Sequence, residues 1–205
     1  SVGVDKVKEM AERLGISGTL QEVAGLTLGI NSTTPLEMAS AYATVANGGT
    51  YYRPQCIVSI KDKNGNVIVD NSAPEGERVL TEEVACAAIQ VMQGVVTASD
   101  GTGKVAAMPN GQPVAGKTGT TDDRKDNWFI GSTPEVTAAF WLGQRADSYE
   151  EAQRVPTSLT AVSSFAKFMS SAYGDRPVTQ FKTAGTPDYI KNYLDSKNHV
   201  GKGSW

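Results

Sequence analysis

Within six residues, Gly116-Lys117-Thr118-Gly119-Thr120-Thr121 combines a fixed cation, three hydroxyls and two glycines, and that mixture fits two chemistries. Read from Gly111, the stretch Gly111 to Thr118 satisfies the phosphate-loop pattern G-x-x-x-x-G-K-[ST]. A phosphate loop needs an apolar strand before its first glycine and a helix opening at its lysine, so that amides and a helix N-terminus face the phosphates. The upstream run from Asp100 to Asn110 is loop-like instead, and downstream Gly119 with Thr120 and Thr121 disfavours helix and favours strand. As a strand, Thr118 and Thr120 share one face and supply hydroxyl donors, while Lys117 supplies positive charge, a set suited to holding a carboxylate. Gly119 removes a side chain where another backbone, such as an extended peptide, must approach closely. An ordinary polar edge strand, with its lysine discouraging aggregation, accounts for the same residues without any ligand.

The other chemistry-bearing residues are more scattered. His199 is the single histidine, and no acidic pattern pairs it with a nucleophile. Asp122, Asp123, Arg124, Lys125 and Asp126 read as a mixed-charge turn, mostly solvated. Thr102, between two glycines, reads first as a turn residue, with a place at the border of the cleft as the alternative.

These residues must be positioned by alternating helices and strands. Val4, Val7, Met10, Ala11 and Leu14 recur at helical spacing, with Gly15 set to end that helix. Thr34-Pro35-Leu36-Glu37 is a capping box with proline at the first helical position, opening a helix that stops at Asn47-Gly48-Gly49. Residues 57–60 and 67–69, joined through Asn64-Gly65, predict a hairpin. Thr81, Glu82 and Glu83 open a third helix with Val84, Ala88, Val91, Met92 and Val95 on its apolar side. Residues 97–113 are glycine- and proline-rich and predict a loop. Strands follow at about 114–121, 127–133 and 136–142, antiparallel because their connections are too short for crossover helices. A last helix near 157–173 carries Val162, Phe165, Ala166, Met169 and Tyr173 on one side, and the tail beyond Gly174 is weakly patterned. The fold class is α/β (α+β): an antiparallel sheet with helices packed on it.

At 205 residues, 40% hydrophobic and 20% charged, the chain suits one domain with a substantial core. A net charge of -3 and the lack of any basic run argue against nucleic acid as partner, and no metal-ligand spacing or cofactor motif occurs. Cys56, in a predicted strand, and Cys86, in a predicted helix, are too few for a disulfide framework and read as buried apolar residues. No apolar run is long enough to span a membrane, which puts any anchor outside this chain.

The segment from Lys117 resembles the Lys-Thr-Gly box of penicillin-binding proteins and serine β-lactamases. The chain around it is similar to the C-terminal part of the transpeptidase domain of class A, bifunctional penicillin-binding proteins. The stretches that carry this resemblance are Leu28-Gly29, Thr34 to Gly49, Gly101-Thr102-Gly103, Ala115 to Thr121, Asp126 to Gly131 and Phe140-Trp141-Leu142-Gly143. They follow the family's order over approximately residues 2 to 185. The resemblance implies a three-layer sandwich of the β-lactamase and transpeptidase type, with residues 1–173 as the C-terminal portion of that domain and 174–205 as a tail.

It also implies the chemistry. In the family a serine attacks the penultimate D-Ala carbonyl of a peptidoglycan stem peptide ending in D-Ala-D-Ala, releases D-Ala, and passes the acyl group to an amine of a neighbouring stem. β-Lactams mimic that substrate, no cofactor takes part, and the reaction runs on the outer face of the bacterial cytoplasmic membrane. By this resemblance Lys117, Thr118, Gly119, Thr120 and Thr121 line the cleft. Thr118 and Thr120 bind the terminal carboxylate, Lys117 adds positive potential, and the amide of Thr120 contributes half of an oxyanion hole. Asp126 and Trp128 match an Asp-x-Trp-Phe pattern whose aromatic pair packs the sheet.

The chain departs from the family upstream of Lys117, where neither the Ser-x-x-Lys box of the nucleophile nor the Ser-x-Asn box occurs. Ser164-Phe165-Ala166-Lys167 and Ser196-Lys197-Asn198 match those patterns but follow the Lys-Thr-Gly strand instead of preceding it. The expectation is a chain that begins just after the second box, incomplete at its N-terminal side, inactive alone, completed by the missing part of the domain and prone to self-association through uncovered apolar surface. A nucleophile-free module that binds peptidoglycan or a partner remains the alternative.

Overall fold

The computed structural model describes residues 2–144, 150–157, 159–174 and 176–187. Helix α1 (Val4–Arg13) forms where the apolar spacing predicts it, and the chain turns away at Gly15, whose φ of +91° suits a residue without Cβ. None of its residues is buried, so it sits on the surface of the body, and the Arg13 guanidinium donates to the Val79 carbonyl.

Helix α2 (Pro35–Ala46) opens on the expected capping box. The Glu37 amide donates to Thr34 Oγ1 at 3.2 Å and the Glu37 carboxylate accepts from the Thr34 amide at 3.1 Å. The same carboxylate accepts from the Ser17 hydroxyl, from the Ser17 amide at 3.0 Å and from Thr33 Oγ1 at 3.1 Å. It thereby fastens the exit of α1 to the entrance of α2. These donors, the Ser17 hydroxyl foremost, stabilise the charged form and hold the Glu37 pKa down at about 2 from an ordinary 4.5.

Four short strands follow in two separate antiparallel pairs. The predicted hairpin is β2 (Ser59–Lys61) with β3 (Val67–Asp70), its turn held by Asp62 Oδ1, which accepts from the amides of Asn64 and Asn66. The other pair, β1 (Thr50–Tyr52) with β4 (Gly76–Arg78), is absent from the sequence reading, because Gly76-Glu77-Arg78 has no apolar alternation to announce a strand. The β2–β3 hairpin leaves Val58, Ile60, Val67 and Ile68 exposed, so its apolar residues do not enter a core. Cys56 corrects the sequence expectation on both counts: it precedes β2 and is exposed, whereas Cys86 is buried as expected.

Helix α3 (Glu82–Thr97) starts at Thr81, whose hydroxyl accepts from the Val84 amide. Its buried stripe is Ala85, Cys86, Ile89 and Val96, while Val84 and Val91 point outward. The expected face is therefore rotated by about one residue, because the small side chains of Ala85 and Cys86 permit close approach where valines would hold the helix off.

The central sheet is β5 (Ala115–Thr120), β6 (Asp126–Ser132) and β7 (Thr137–Gly143), in that order and antiparallel throughout. Helix α4 (Thr160–Tyr173) lies on one face of it and buries Ala161, Val162, Phe165, Met169 and Tyr173. On this side the Phe165 ring meets Phe129 edge-on with centroids 4.9 Å apart, inside a core that includes Val96, Ala106, Met108 and Val114. The approach depends on glycine, since a Cβ on Gly131 would stand 2.6 Å from the Phe165 ring. Helices α2 and α3 also pack on this sheet, and the buried Ala115 and Ile130 alternate away from Phe129 to meet that second layer. The result is a mixed α/β sandwich with an antiparallel sheet between helices, as expected.

Beyond Gly174 the described residues 176–187 carry neither helix nor strand. They are fastened to the body where buried Gln112 donates to the Thr179 carbonyl at 2.9 Å and accepts from the Thr179 amide at 3.0 Å.

Truncating the aromatic wedge, Phe165→Ala, is expected to cost about 3–5 kcal/mol, and Gly131→Ala about 1–3 kcal/mol because the ring must move. Val91→Ala, on the exposed side of α3, should stay within about 0.5 kcal/mol. Urea unfolding of the three variants checks the ranking. For Glu37, whose folded pKa is depressed, the stabilisation is fully present above pH 4.5 and is lost as pH falls towards about 2. Across that window the unfolding midpoint of the wild type should drop more steeply than that of Glu37→Gln, and parallel curves would refute the linkage.

Candidate functional site

The predicted substrate strand is β5, and no helix opens at Lys117, so the phosphate-loop reading fails on the geometry it requires. Residues 101–114, where that reading needs an apolar strand, hold only a 3₁₀ turn at Lys104–Ala106. Strand β5 is paired with β6 on one side, and among the described residues no strand pairs with its other side.

The orientation of its peptide groups follows from their partners. Thr121 donates its amide to the Asp126 carbonyl and the Gly119 carbonyl is turned to Asn127, so the peptide groups of Gly119 and Thr121 face β6. Antiparallel alternation then turns the amides and carbonyls of Thr118 and Thr120 to the unpaired edge. The outward Thr118 carbonyl accepts from Lys117 Nζ at 2.8 Å. Lys117 and Thr120 are exposed and Thr118 is half-buried. Lys117 alternates to the opposite face from the two threonines but folds its ammonium over the edge, so the cation and the outward peptide groups share one accessible margin.

The loop after α3 sets the position of Thr118. Gly103 donates to the Val95 carbonyl at 2.9 Å, and the loop leans on Phe129 at a distance where a Cβ on Gly103 would touch the ring at 3.1 Å. This brings Thr102 Oγ1 to 2.9 Å from Thr118 Oγ1. Thr102 thus touches the strand through its hydroxyl, a contact that its reading as a turn residue did not include.

Thr121 is engaged elsewhere. Its hydroxyl accepts from the amides of Lys125 and Asp126, at 3.0 and 3.1 Å, and so closes the β5–β6 turn. The close neighbour of Gly119 is Trp128 across the sheet, 3.2 Å from where a Cβ would stand. Lys125 also departs from the solvated turn expected for residues 122–126: it is buried, and its ammonium donates to the Glu150 carbonyl at 3.3 Å. Asp126 accepts from Trp141 Nε1 at 2.7 Å, and Trp128 and Trp141 pack as a tilted pair, in keeping with aromatics that serve the sheet.

Asn127 escaped the sequence reading. It is fully buried on β6, and its side chain donates to Thr120 Oγ1 at 3.2 Å and to the Gly119 carbonyl at 3.4 Å while accepting from the Ala161 amide at 2.8 Å. The available signal was an amide at a position where the sheet demands an apolar or satisfied group.

Of the two downstream serines, Ser164 lies inside α4 with its hydroxyl donating to the Thr160 carbonyl at 3.0 Å. Ser196, Lys197, Asn198 and His199 fall outside the described residues. Among the described residues no group of three or more His, Cys, Asp and Glu side chains gathers to hold a metal ion, and no helix is long and apolar enough to cross a membrane.

Comparison with known proteins places this geometry. The family model of the penicillin binding protein transpeptidase domain matches residues 1–186. Penicillin-binding protein 1A of Rickettsia typhi is 33% identical over 211 residues, covering 93% of this chain and 26% of that protein. The chain therefore spans about a quarter of the length of this curated relative. The PonA1 protein of Mycobacterium tuberculosis, solved in complex with penicillin V, superposes with a TM-score of 0.74 at 26% identity, covering 91% of this chain and 54% of that one. Penicillin-binding protein 1A of Haemophilus influenzae superposes with a TM-score of 0.76 at 23% identity, over 90% of this chain and 33% of that chain, which bears on the fold alone. With its β5 edge, its helix-covered antiparallel sheet and a family match over nearly its whole length, this chain belongs to the penicillin-binding protein transpeptidase family, as a C-terminal transpeptidase part of the class A kind.

Proposed function

We propose that this chain supplies the substrate strand of a peptidoglycan D,D-transpeptidase whose nucleophilic serine lies in residues outside it. The observation that carries the reading is the open margin of β5, where the outward peptide groups of Thr118 and Thr120 adjoin the Lys117 ammonium and the exposed Thr120 hydroxyl. An extended stem peptide ending in D-Ala-D-Ala can add to that margin as a strand, its backbone pairing with β5. Its terminal carboxylate then meets Thr118, Thr120 and the positive potential of Lys117, which are donors and charge matched to an acceptor-only group.

In the reaction the serine oxygen bonds to the penultimate D-Ala carbonyl carbon, and negative charge develops on the carbonyl oxygen. The outward Thr120 amide stabilises that charge as one half of an oxyanion hole, acting without reorganisation because the sheet already holds it. Collapse of the intermediate expels D-Ala as the amine. The acyl group next transfers to an amine of a second stem, restoring the serine. A β-lactam follows the first half of this course, its ring nitrogen leaving without departing from the molecule. The carboxylate role belongs to Thr118 and Thr120, while Thr121 is left to the turn. On this reading the protein works on the outer face of the cytoplasmic membrane.

In the full-length protein that carries these residues, Lys117→Ala should slow acylation by benzylpenicillin by about tenfold or more. Its thermal midpoint should move by no more than about 2 °C, since an exposed cation contributes little to folding. Wild-type acylation in that variant would remove Lys117 from the site. The 205-residue chain alone, incubated with the same β-lactam, should show no mass increase by intact mass spectrometry while the full-length protein is labelled. An adduct mapped to Ser164, Ser196 or any other serine of the chain would show that it carries its own nucleophile. Stem-peptide affinity without acylation of the full-length protein would instead establish a binding module.

A further inference from the structure

We propose that Asn127 is a positioning residue that sets the polarity of the Thr120 hydroxyl, committing it to donate outward and so to prefer a carboxylate. The proposal rests on the reading of β5 as a carboxylate-binding edge. A hydroxyl can donate once and accept twice, and an amide presents an acceptor at one corner and two donors at the other. For Asn127 the choice of corner is fixed by its partners. The Ala161 amide can only donate, so Oδ1 must face it, at 2.8 Å. The Gly119 carbonyl can only accept, so Nδ2 must face β5, where it also lies 3.2 Å from Thr120 Oγ1. These two partners of fixed polarity demand the same orientation, and the side chain is completely buried.

Thr120 Oγ1 therefore receives a hydrogen bond from inside the sheet. Its own proton is left to point away from β6, and Thr120 is exposed on that side. A carboxylate, which only accepts, satisfies such a hydroxyl. A group that offers a proton there meets a competing one. Thr118 carries no such commitment, because in its contact with Thr102 either hydroxyl can be the donor. Of the two threonines, Thr120 is thus the one whose direction is built in, and Asn127 is what builds it. The Asn127 amide takes its own orientation from the first turn of α4, so the selectivity of the edge is referred back to the helix behind the sheet.

The test compares acylation of the full-length protein by benzylpenicillin and by its methyl ester, read as the ratio of second-order rate constants. A ratio is unaffected by the fraction of each preparation that is folded. Thr120→Val should lower the carboxylate-to-ester ratio by roughly ten- to a hundred-fold. If it does not, the underlying reading of Thr120 is wrong and the proposal falls with it. If it does, Asn127→Asp decides the proposal separately. When ionised, the carboxylate introduced by that substitution would accept at both corners and draw the Thr120 proton inward, lowering the ratio to a similar degree at pH 8. When protonated, the acid would donate to Thr120 as the amide does, so the ratio should recover as pH is lowered while the wild-type ratio stays level. A wild-type ratio at pH 8, or a loss that acid does not reverse, would overturn the assignment. Should Asn127→Asp fail to accumulate as folded protein, Asn127→Ala serves instead. It should lower the ratio at every pH, and an unchanged ratio there would equally refute the role.

Discussion

The aromatic wedge between α4 and the central sheet is the contact on which the remaining structure depends. Phe165 seats its ring over Gly131 and against the edge of Phe129, and Phe129 in turn occupies the space that a side chain at Gly116 would fill, 2.8 Å from its ring. Because interiors are packed near crystal density, this interlock fixes three elements at once: the helix, the middle strand and the edge strand. The glycine loop after α3 leans on the same Phe129 ring. The position of Thr102 beside Thr118 is thus inherited from the core and not set at the surface.

Burial and exposure divide the labour along β5. Ala115 and Gly116 are buried and belong to the core, whereas Lys117 and Thr120 are exposed, so a single six-residue strand passes from core to accessible surface within two residues. The far end is held by polar bonds: Thr121 closing the turn, Asn127 reaching back to Gly119 and Thr120, and Asp126 holding Trp141. Polar anchorage there has a physical reason. An apolar clamp at this end would have to cover Thr120, which these polar bonds leave exposed.

What was legible in the sequence was whatever local chemistry determines. The capping box at Thr34, the Gly15 stop, the Asn64-Gly65 hairpin and the three successive strands all form as their residues predict, because each is decided within a few positions. The β5 strand is legible for the same reason, since Gly119 and the threonines oppose a helix locally. Errors arise where distant partners decide. The buried stripe of α3 is offset because Ala85 and Cys86 fit closely where Val84 and Val91 would not, and β1 pairs with β4 through residues whose types announce nothing. Lys125 and Asn127 are polar residues that burial recruits only once their partners, on loops and helices far along the chain, are in place.

The tryptophan pair has a consequence of a spectroscopic kind. Two of the three tryptophans, Trp128 and Trp141, lie with ring centroids 6.3 Å apart and planes tilted by 48°, and Trp128 backs directly onto Gly119. Transition dipoles at that separation and tilt couple, which makes the pair a chiral chromophore whose near-ultraviolet ellipticity is sensitive to small rotations of either ring. The molecule thus carries an intrinsic optical gauge beside β5, one that registers small movements of that strand without any label.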